Sequence, residues 1–231
     1  MSIGEDFEKL VKIIEVLRSD NGCPWDKEQT PETVKRYLVE EAYEAITEVE
    51  NGNNEGVMEE IGDLIFMSLF MAYLYQQQGD FSISDVLQKA ASKMIYRHPH
   101  VFGNKKVNSP QEVKKNWEIL KNKEKKKKAG SLDVPRSLPA LMRAHRLAGR
   151  TRDLCCQGKD IRSLISFLSQ SLQEFEKNAS STEHDSDVKA RIGEYFLALV
   201  CLARMLGVNS EEALHETIQN KLRLAMQENK A

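Results

Sequence analysis

The chain has 231 residues, with 33 Lys+Arg against 35 Asp+Glu and a formal charge of -2, enough for one large domain or two smaller ones that each bury a core. Hydrophobic content of 41% with only 7% aromatic residues, 12 Gly and 6 Pro excludes a disordered, collagenous or disulfide-stapled chain and points to a helix-rich globular protein. The near-neutral sum conceals two opposed segments: Pro31 to Asp63 holds ten acids and two bases, whereas Lys121 to Lys128 holds six lysines and one glutamate.

Helical period dominates from the first residues. Phe7, Leu10, Val11, Ile14 and Leu17 recur at three- and four-residue steps and predict an amphipathic helix that ends before the turn-like stretch Ser19 to Pro24. Thr30 before Pro31 predicts an N-cap with proline at the first helical position, and the helix runs to about Glu50. Asn51 to Asn54 close it. A longer helix from about Glu55 to Gln78 is apolar on most sides after Asp63, which predicts a place at the centre of the core. Ser84 to Arg97 form the next helix, stopped at His98-Pro99-His100, and Gln111 to Lys126 another.

The lysine run, Gly130, Pro135 and Pro139 mark a linker. The boundaries are therefore a first domain over 1–128, a linker over 129–140 and a second helical domain over 141–231. The two blocks match: Ile61-Gly-Asp-Leu-Ile-Phe aligns with Ile192-Gly-Glu-Tyr-Phe-Leu at an offset of 131, Glu44 with Glu174 at 130, and Lys93 with Lys221 at 128. Three near-equal offsets predict an all-α tandem repeat.

Four cysteines, Cys23, Cys155, Cys156 and Cys201, show no CxxC spacing, and the adjacent pair cannot close an ordinary disulfide without strain. With acidic residues at the start and a longest apolar stretch, Leu64 to Tyr75, too short to span a bilayer, the expectation is a cytoplasmic protein with no membrane association.

The chemistry concentrates in five acids. On a helix, positions three apart share a face, so Glu41 projects with Glu44 and Glu60 with Asp63. If their two helices pack antiparallel across the Asn51 to Asn54 turn, four carboxylates converge. Like charges so close need a cation or a shared proton, and oxygen donors without His or Cys suit Mg²⁺ or Mn²⁺ rather than Zn²⁺. Any one of these glutamates reads as well as part of a solvated helix face. Asp63 argues otherwise, because it opens directly into Leu64-Ile-Phe-Met and a carboxylate beside a core needs a partner.

Glu40-Glu41-Ala-Tyr-Glu44 followed by Glu60-Ile-Gly-Asp63 resembles the EExxE and ExxD signature of the all-α nucleoside triphosphate pyrophosphohydrolases. Gly22-Cys-Pro-Trp-Asp-Lys-Glu-Gln-Thr30, Arg97-His-Pro-His-Val-Phe102 and Pro135-Arg-Ser-Leu-Pro-Ala140 extend the resemblance to the MazG family over nearly the whole chain. The resemblance implies a MazG-like helical bundle and Mg²⁺-dependent cleavage of (deoxy)nucleoside triphosphates between the α and β phosphates. It implies Glu41, Glu44, Glu60 and Asp63 as metal ligands, with Glu40 orienting the attacking water beside Glu41. A homodimer is the expectation by the same resemblance.

Lys93 and Arg97, four apart on one helix face, suit triphosphate oxygens, though the spacing alone equally describes a solvated basic edge. Trp117 is a candidate for stacking on the base and Lys121 for added charge near the phosphates; a lone Trp also serves as core. Trp25 either lines the nucleotide pocket or anchors its loop. His98 and His100 are two ligands at most and read as a helix stop.

The second block departs from the pattern. Gln170-Ser-Leu-Gln-Glu174 and Arg191-Ile-Gly-Glu194 retain two of the four ligands, and Arg191 sets a cation where a ligand belongs. The second copy is therefore expected to be degenerate, keeping the fold without the metal chemistry. The lysine run reads as a solvated linker, not a nucleic-acid site, and no GxxxxGK[ST] is present. The competing reading is a non-catalytic nucleotide-sensing or dimerising regulatory protein of the same fold.

Overall fold

A computed structural model describes residues 2–126, 134–150, 160–178 and 185–228, and among them all regular structure is helical. The lysines beyond Lys126, Gly130 and the Cys155-Cys156 pair lie outside the described residues. The chain divides into two compact units, Met1–Lys127 and Lys128–Ala231.

In the first unit, α1 (Ile3–Leu17) starts at a capping box: the Ser2 hydroxyl accepts from the Glu5 N–H while the Glu5 carboxylate accepts from the Ser2 N–H. Its apolar stripe buries Ile14 completely. The turn beyond it is tight, and Gly22 lies against the Val16 and Leu17 carbonyls, where a Cβ would come within 2.2 Å of an oxygen. The short helix α2 (Pro24–Glu28) is held by Arg18, whose guanidinium donates to the carbonyls of Asp26 and Gln29 and to Gln77 while lying over the Phe70 ring.

Helices α3 (Pro31–Asn51) and α4 (Asn54–Gln78) form an antiparallel hairpin, the most extensive helix pairing in the chain. Thr30 caps α3 with Pro31 at the first position, and Gly52, at φ 67°, ends it in the left-handed region that glycine tolerates best. Asn53 then caps α4 through the Gly56 N–H and donates to the Glu48 carboxylate, so one side chain ties both ends of the turn together. Helix α5 (Ile83–Arg97), opened by a Ser82–Asp85 capping box, packs on α4. The short α6 (Pro99–Phe102) turns the chain, and α7 (Pro110–Lys126) returns along α5.

Ile14, Val34, Leu69, Phe70, Ala72, Leu74 and Ile83 form the first core. It encloses the C-terminal part of α4, where α1 and α5 add cover. The expected central place of α4 in the core is met by Leu69, Phe70, Ala72 and Leu74, but not by its first turns: Asp63 is exposed, and Ile61 and Ile65 are 46% and 43% exposed. The reason is packing, since the core gathers residues of α1 and α5 around Leu69 and beyond, and the first turns of α4 rest chiefly on α3.

The second unit contains α8 (Ala140–Arg150), α9 (Ile161–Asn178), α10 (Asp185–Met205) and α11 (Ser210–Glu228). Helix α10 packs against the other three, burying Ala148, Leu164, Leu168, Ala198 and Cys201. Glu211, in the first turn of α11, accepts from the Met142 N–H and so satisfies a free donor at the start of α8. Among the described residues no single helix is long and apolar enough to cross a membrane.

Candidate metal and nucleotide site

The α3–α4 hairpin brings the predicted acids together. Glu41, Glu60 and Asp63 can each place one carboxylate oxygen so that all three lie within 4.8 Å of one another. Glu44 lies close enough to Glu60 to help raise its carboxyl. Glu40 is exposed one position ahead of Glu41 and acts on it through its charge.

The electrostatics follow from this crowding. Partial burial, followed by the charges of Asp63, Glu44, Glu60 and Glu40, pushes the Glu41 carboxyl above the usual carboxylate range. Glu60 is raised as well, first by loss of solvation, then by Glu44, Glu59 and Asp63. Glu59 was not anticipated from the sequence. Its signal was present in the Glu59-Glu60 pair, whose adjacency places the charge of Glu59 on Glu60.

These residues fit a hard divalent cation. They offer oxygen donors alone, and among the described residues no His or Cys joins the group. The hairpin turn fixes the register of the two acidic pairs through the Glu48–Asn53–Gly56 contacts, so the cluster rests on rigid helices rather than on a loop.

The basic residues form a separate group on α5 and α7. Arg97, its side chain only 10% exposed, donates through Nε and Nη2 to one carboxylate oxygen of Glu124. The same guanidinium lies 5.1 Å from the Trp117 ring centre, and Lys121 Nζ lies 4.6 Å from it. The structure thus joins Arg97, Trp117 and Lys121, while Lys93 is exposed one turn earlier on α5. Lys93 and Arg97 differ in their surroundings, since Arg97 is paired with an acid 27 residues away and Lys93 is exposed.

Trp25 is 52% exposed and packs against Tyr37 with ring centres 6.0 Å apart. Together with Gln29, Val34, Phe66 and Phe70 the two rings line a small hollow. Tyr37 precedes Glu41 by one helical turn, so this hollow adjoins the acidic ridge on α3. His98 uses Nδ1 on the Met94 carbonyl, 2.7 Å away, which satisfies the end of α5.

Residues 29–102 match the family model of the MazG nucleotide pyrophosphohydrolase domain, a span that includes the five acids, Lys93 and Arg97 but neither Trp25 nor Trp117. The chain is similar to the uncharacterized protein YabN of Bacillus subtilis, 36% identical over 92% of this chain and 44% of that one, so it spans less than half of that relative. It is similar to the nucleoside triphosphate pyrophosphohydrolase/pyrophosphatase MazG of Thermotoga maritima, 35% identical over 91% of this chain and 80% of that protein. The nucleoside triphosphate pyrophosphohydrolase of Escherichia coli K12 is 34% identical over 91% and 82%. Among solved structures, a mazG-related protein from Thermotoga maritima is 33% identical, covering 50% of this chain and 98% of that one with a TM-score of 0.44.

Proposed function

The chain belongs to the MazG nucleotide pyrophosphohydrolase family, and on that basis we propose that its first unit hydrolyses (deoxy)nucleoside triphosphates to monophosphate and pyrophosphate. The observation that carries the reading is the convergence of Glu41, Glu60 and Asp63, with Glu44 beside Glu60, on one helical hairpin. Glu41, Glu44, Glu60 and Asp63 hold the divalent cation, Mg²⁺ with Mn²⁺ as a substitute. When bound, the cation offsets the triphosphate charge and makes water a stronger nucleophile.

The chain's own residues do the rest. Water oxygen attacks the α phosphorus, the bond from that phosphorus to the α–β bridging oxygen breaks, and the proton released by water passes to a carboxylate. Glu40, exposed beside the cluster, takes that proton and orients the water with Glu41. Lys93, exposed on α5, meets the departing phosphates, and Arg97 joins it when its carboxylate partner gives way. Trp117 offers an indole face to the base, Lys121 adds charge beside it, and Trp25 closes the edge of the pocket near Tyr37.

Residues 1–128 form the catalytic copy, 129–140 the linker and 141–231 a degenerate second copy. The repeated offsets and the loss of two ligands support this division. A homodimer is supported by apolar residues left uncovered on the hairpin, among them Val39 at 54%, Met58 at 72% and Ile61. A cytoplasmic setting is supported by cysteines spaced unlike a disulfide framework.

Pyrophosphate release from a panel of NTPs and dNTPs with Mg²⁺, run beside Glu41→Gln, tests the reading. Release by the wild type that Glu41→Gln abolishes is expected. Mg²⁺-dependent nucleotide binding without release on any substrate would instead favour a nucleotide-sensing role.

A further inference from the structure

The second unit carries, at offsets of 130 and 131, positions corresponding to the five motif acids of the first hairpin. Gln170 and Ser171 replace Glu40 and Glu41, Glu174 matches Glu44, Arg191 replaces Glu60 and Glu194 matches Asp63. The five positions have a formal charge of -5 in the first unit and -1 in the second.

The geometry of one pair is shared. In the first unit Glu44 meets Glu60 across α3 and α4. In the second, Glu174 meets Arg191 across α9 and α10, with Oε2 4.0 Å from Nη2. The other oxygen of Glu174 accepts from the Gln170 amide at 3.4 Å, while the Arg191 contact is an ion pair without a hydrogen bond from Nη2. The guanidinium lies 4.8 Å from the centre of the Phe175 ring, and Phe175 in turn meets Tyr195 edge-on. Arg191 is thus seated on an aromatic base and aimed at the one glutamate that survives on α9.

We propose that Arg191 is the resident counter-ion of the second unit, replacing with a tethered guanidinium the divalent cation that the first unit holds, so that each chain carries one divalent-cation site. The proposal rests on the first unit being a cation site. Physically, a guanidinium supplies the charge that Glu174 requires without a coordination shell, and it cannot be lost by dilution or chelation. Its presence also repels a free cation from Glu174 and Glu194, because the local charge no longer exceeds that of one carboxylate.

The test uses the full chain, Mn²⁺ as the probe, equilibrium dialysis to count bound ions, and thermal melts with and without chelator. The wild type binds one Mn²⁺ per chain, and Glu60→Gln with Asp63→Asn binds none. Adding Arg191→Glu to that background restores one Mn²⁺ and makes melting respond to it. In metal-free buffer, Arg191→Met lowers the melting temperature, and combining it with Glu174→Gln recovers most of the loss. Saturable Mn²⁺ binding in the silenced background that vanishes with Glu174→Gln would overturn the proposal. So would equal destabilisation of Arg191→Met and of the Arg191→Met/Glu174→Gln pair, since Arg191 would then serve only as packing on Phe175. The Met/Gln comparison stands even if Arg191→Glu does not fold. No arm involves nucleotide, and failure of the wild type to bind Mn²⁺ would be read separately, as failure of the first-unit site.

Discussion

Arg97 and Glu124, 27 residues apart, form an ion pair through two guanidinium nitrogens between α5 and α7, with side chains only 10% and 32% exposed. On the proposed reading, a triphosphate at Arg97 would have to compete with this internal anion.

Glu124→Gln weakens that competitor while keeping an oxygen for the guanidinium. The Michaelis constant for a nucleoside triphosphate is expected to fall severalfold with little change in kcat, at a stability cost of about 1–2 kcal/mol. Steady-state kinetics beside a denaturant melt separates two roles. An unchanged Michaelis constant with a full stability loss would make the pair a clamp between helices and nothing more.

Glu41→Gln is expected to reduce kcat by about 10²-fold or more, through loss of a cation ligand and of water orientation. The same variant should melt higher than wild type in chelator at neutral pH, because it removes one of several crowded negative charges. Opposite signs for activity and apo stability mark a site built for a ligand. A lower apo melting temperature would count against the crowding.

The pH dependence has a defined sign. Glu41 and Glu60 titrate above their ordinary value of 4.5 in the folded chain, so the native state binds more protons than the unfolded one across that window. Their contribution to stability is thus lost as pH climbs from the ordinary value through the raised ones. Divalent cation opposes this, since it binds the deprotonated form more tightly. Melts between about pH 4 and pH 8 should show the gap between Mg²⁺ and chelator widening with pH; parallel curves would reject the coupling.

Asn53→Ala removes the cap of α4 and the bond to Glu48 together. A loss of about 1 kcal/mol is expected from the cap. Because this turn sets the register between Glu41 and Glu60, Mn²⁺ affinity should fall as well, measurable by dialysis on protein that remains folded. Retained affinity would show that packing along α3 and α4 holds the register by itself.

Gly22→Ala tests the turn that precedes the site. Its Cβ would meet backbone carbonyls at 2.2 and 2.5 Å, which no side-chain rotation relieves. A loss of about 2 kcal/mol or more is expected, visible as a lower melting temperature. A neutral substitution would mean that the stretch between α1 and α2 can relax.

The amino-acid sequence alone determined the long helices of the first unit, the helical character of the second block and the spacing of the five acids, because these depend on local rules. Thr30 before Pro31 marks an N-cap, three- and four-residue apolar steps define a helix face, and EExxE with ExxD is a contiguous spacing. Tertiary structure decided what those residues meet. Asp63 emerged exposed because α1 and α5 cover α4 only further along, and Glu44 came beside Glu60 because α3 and α4 pack as a hairpin. Arg97 found Glu124 across helices α5 and α7. The pairing of charges far apart in the chain depends on where helices cross, a sum of many packing contacts that no short window contains, and that sum governs which acids need a cation and which already have one.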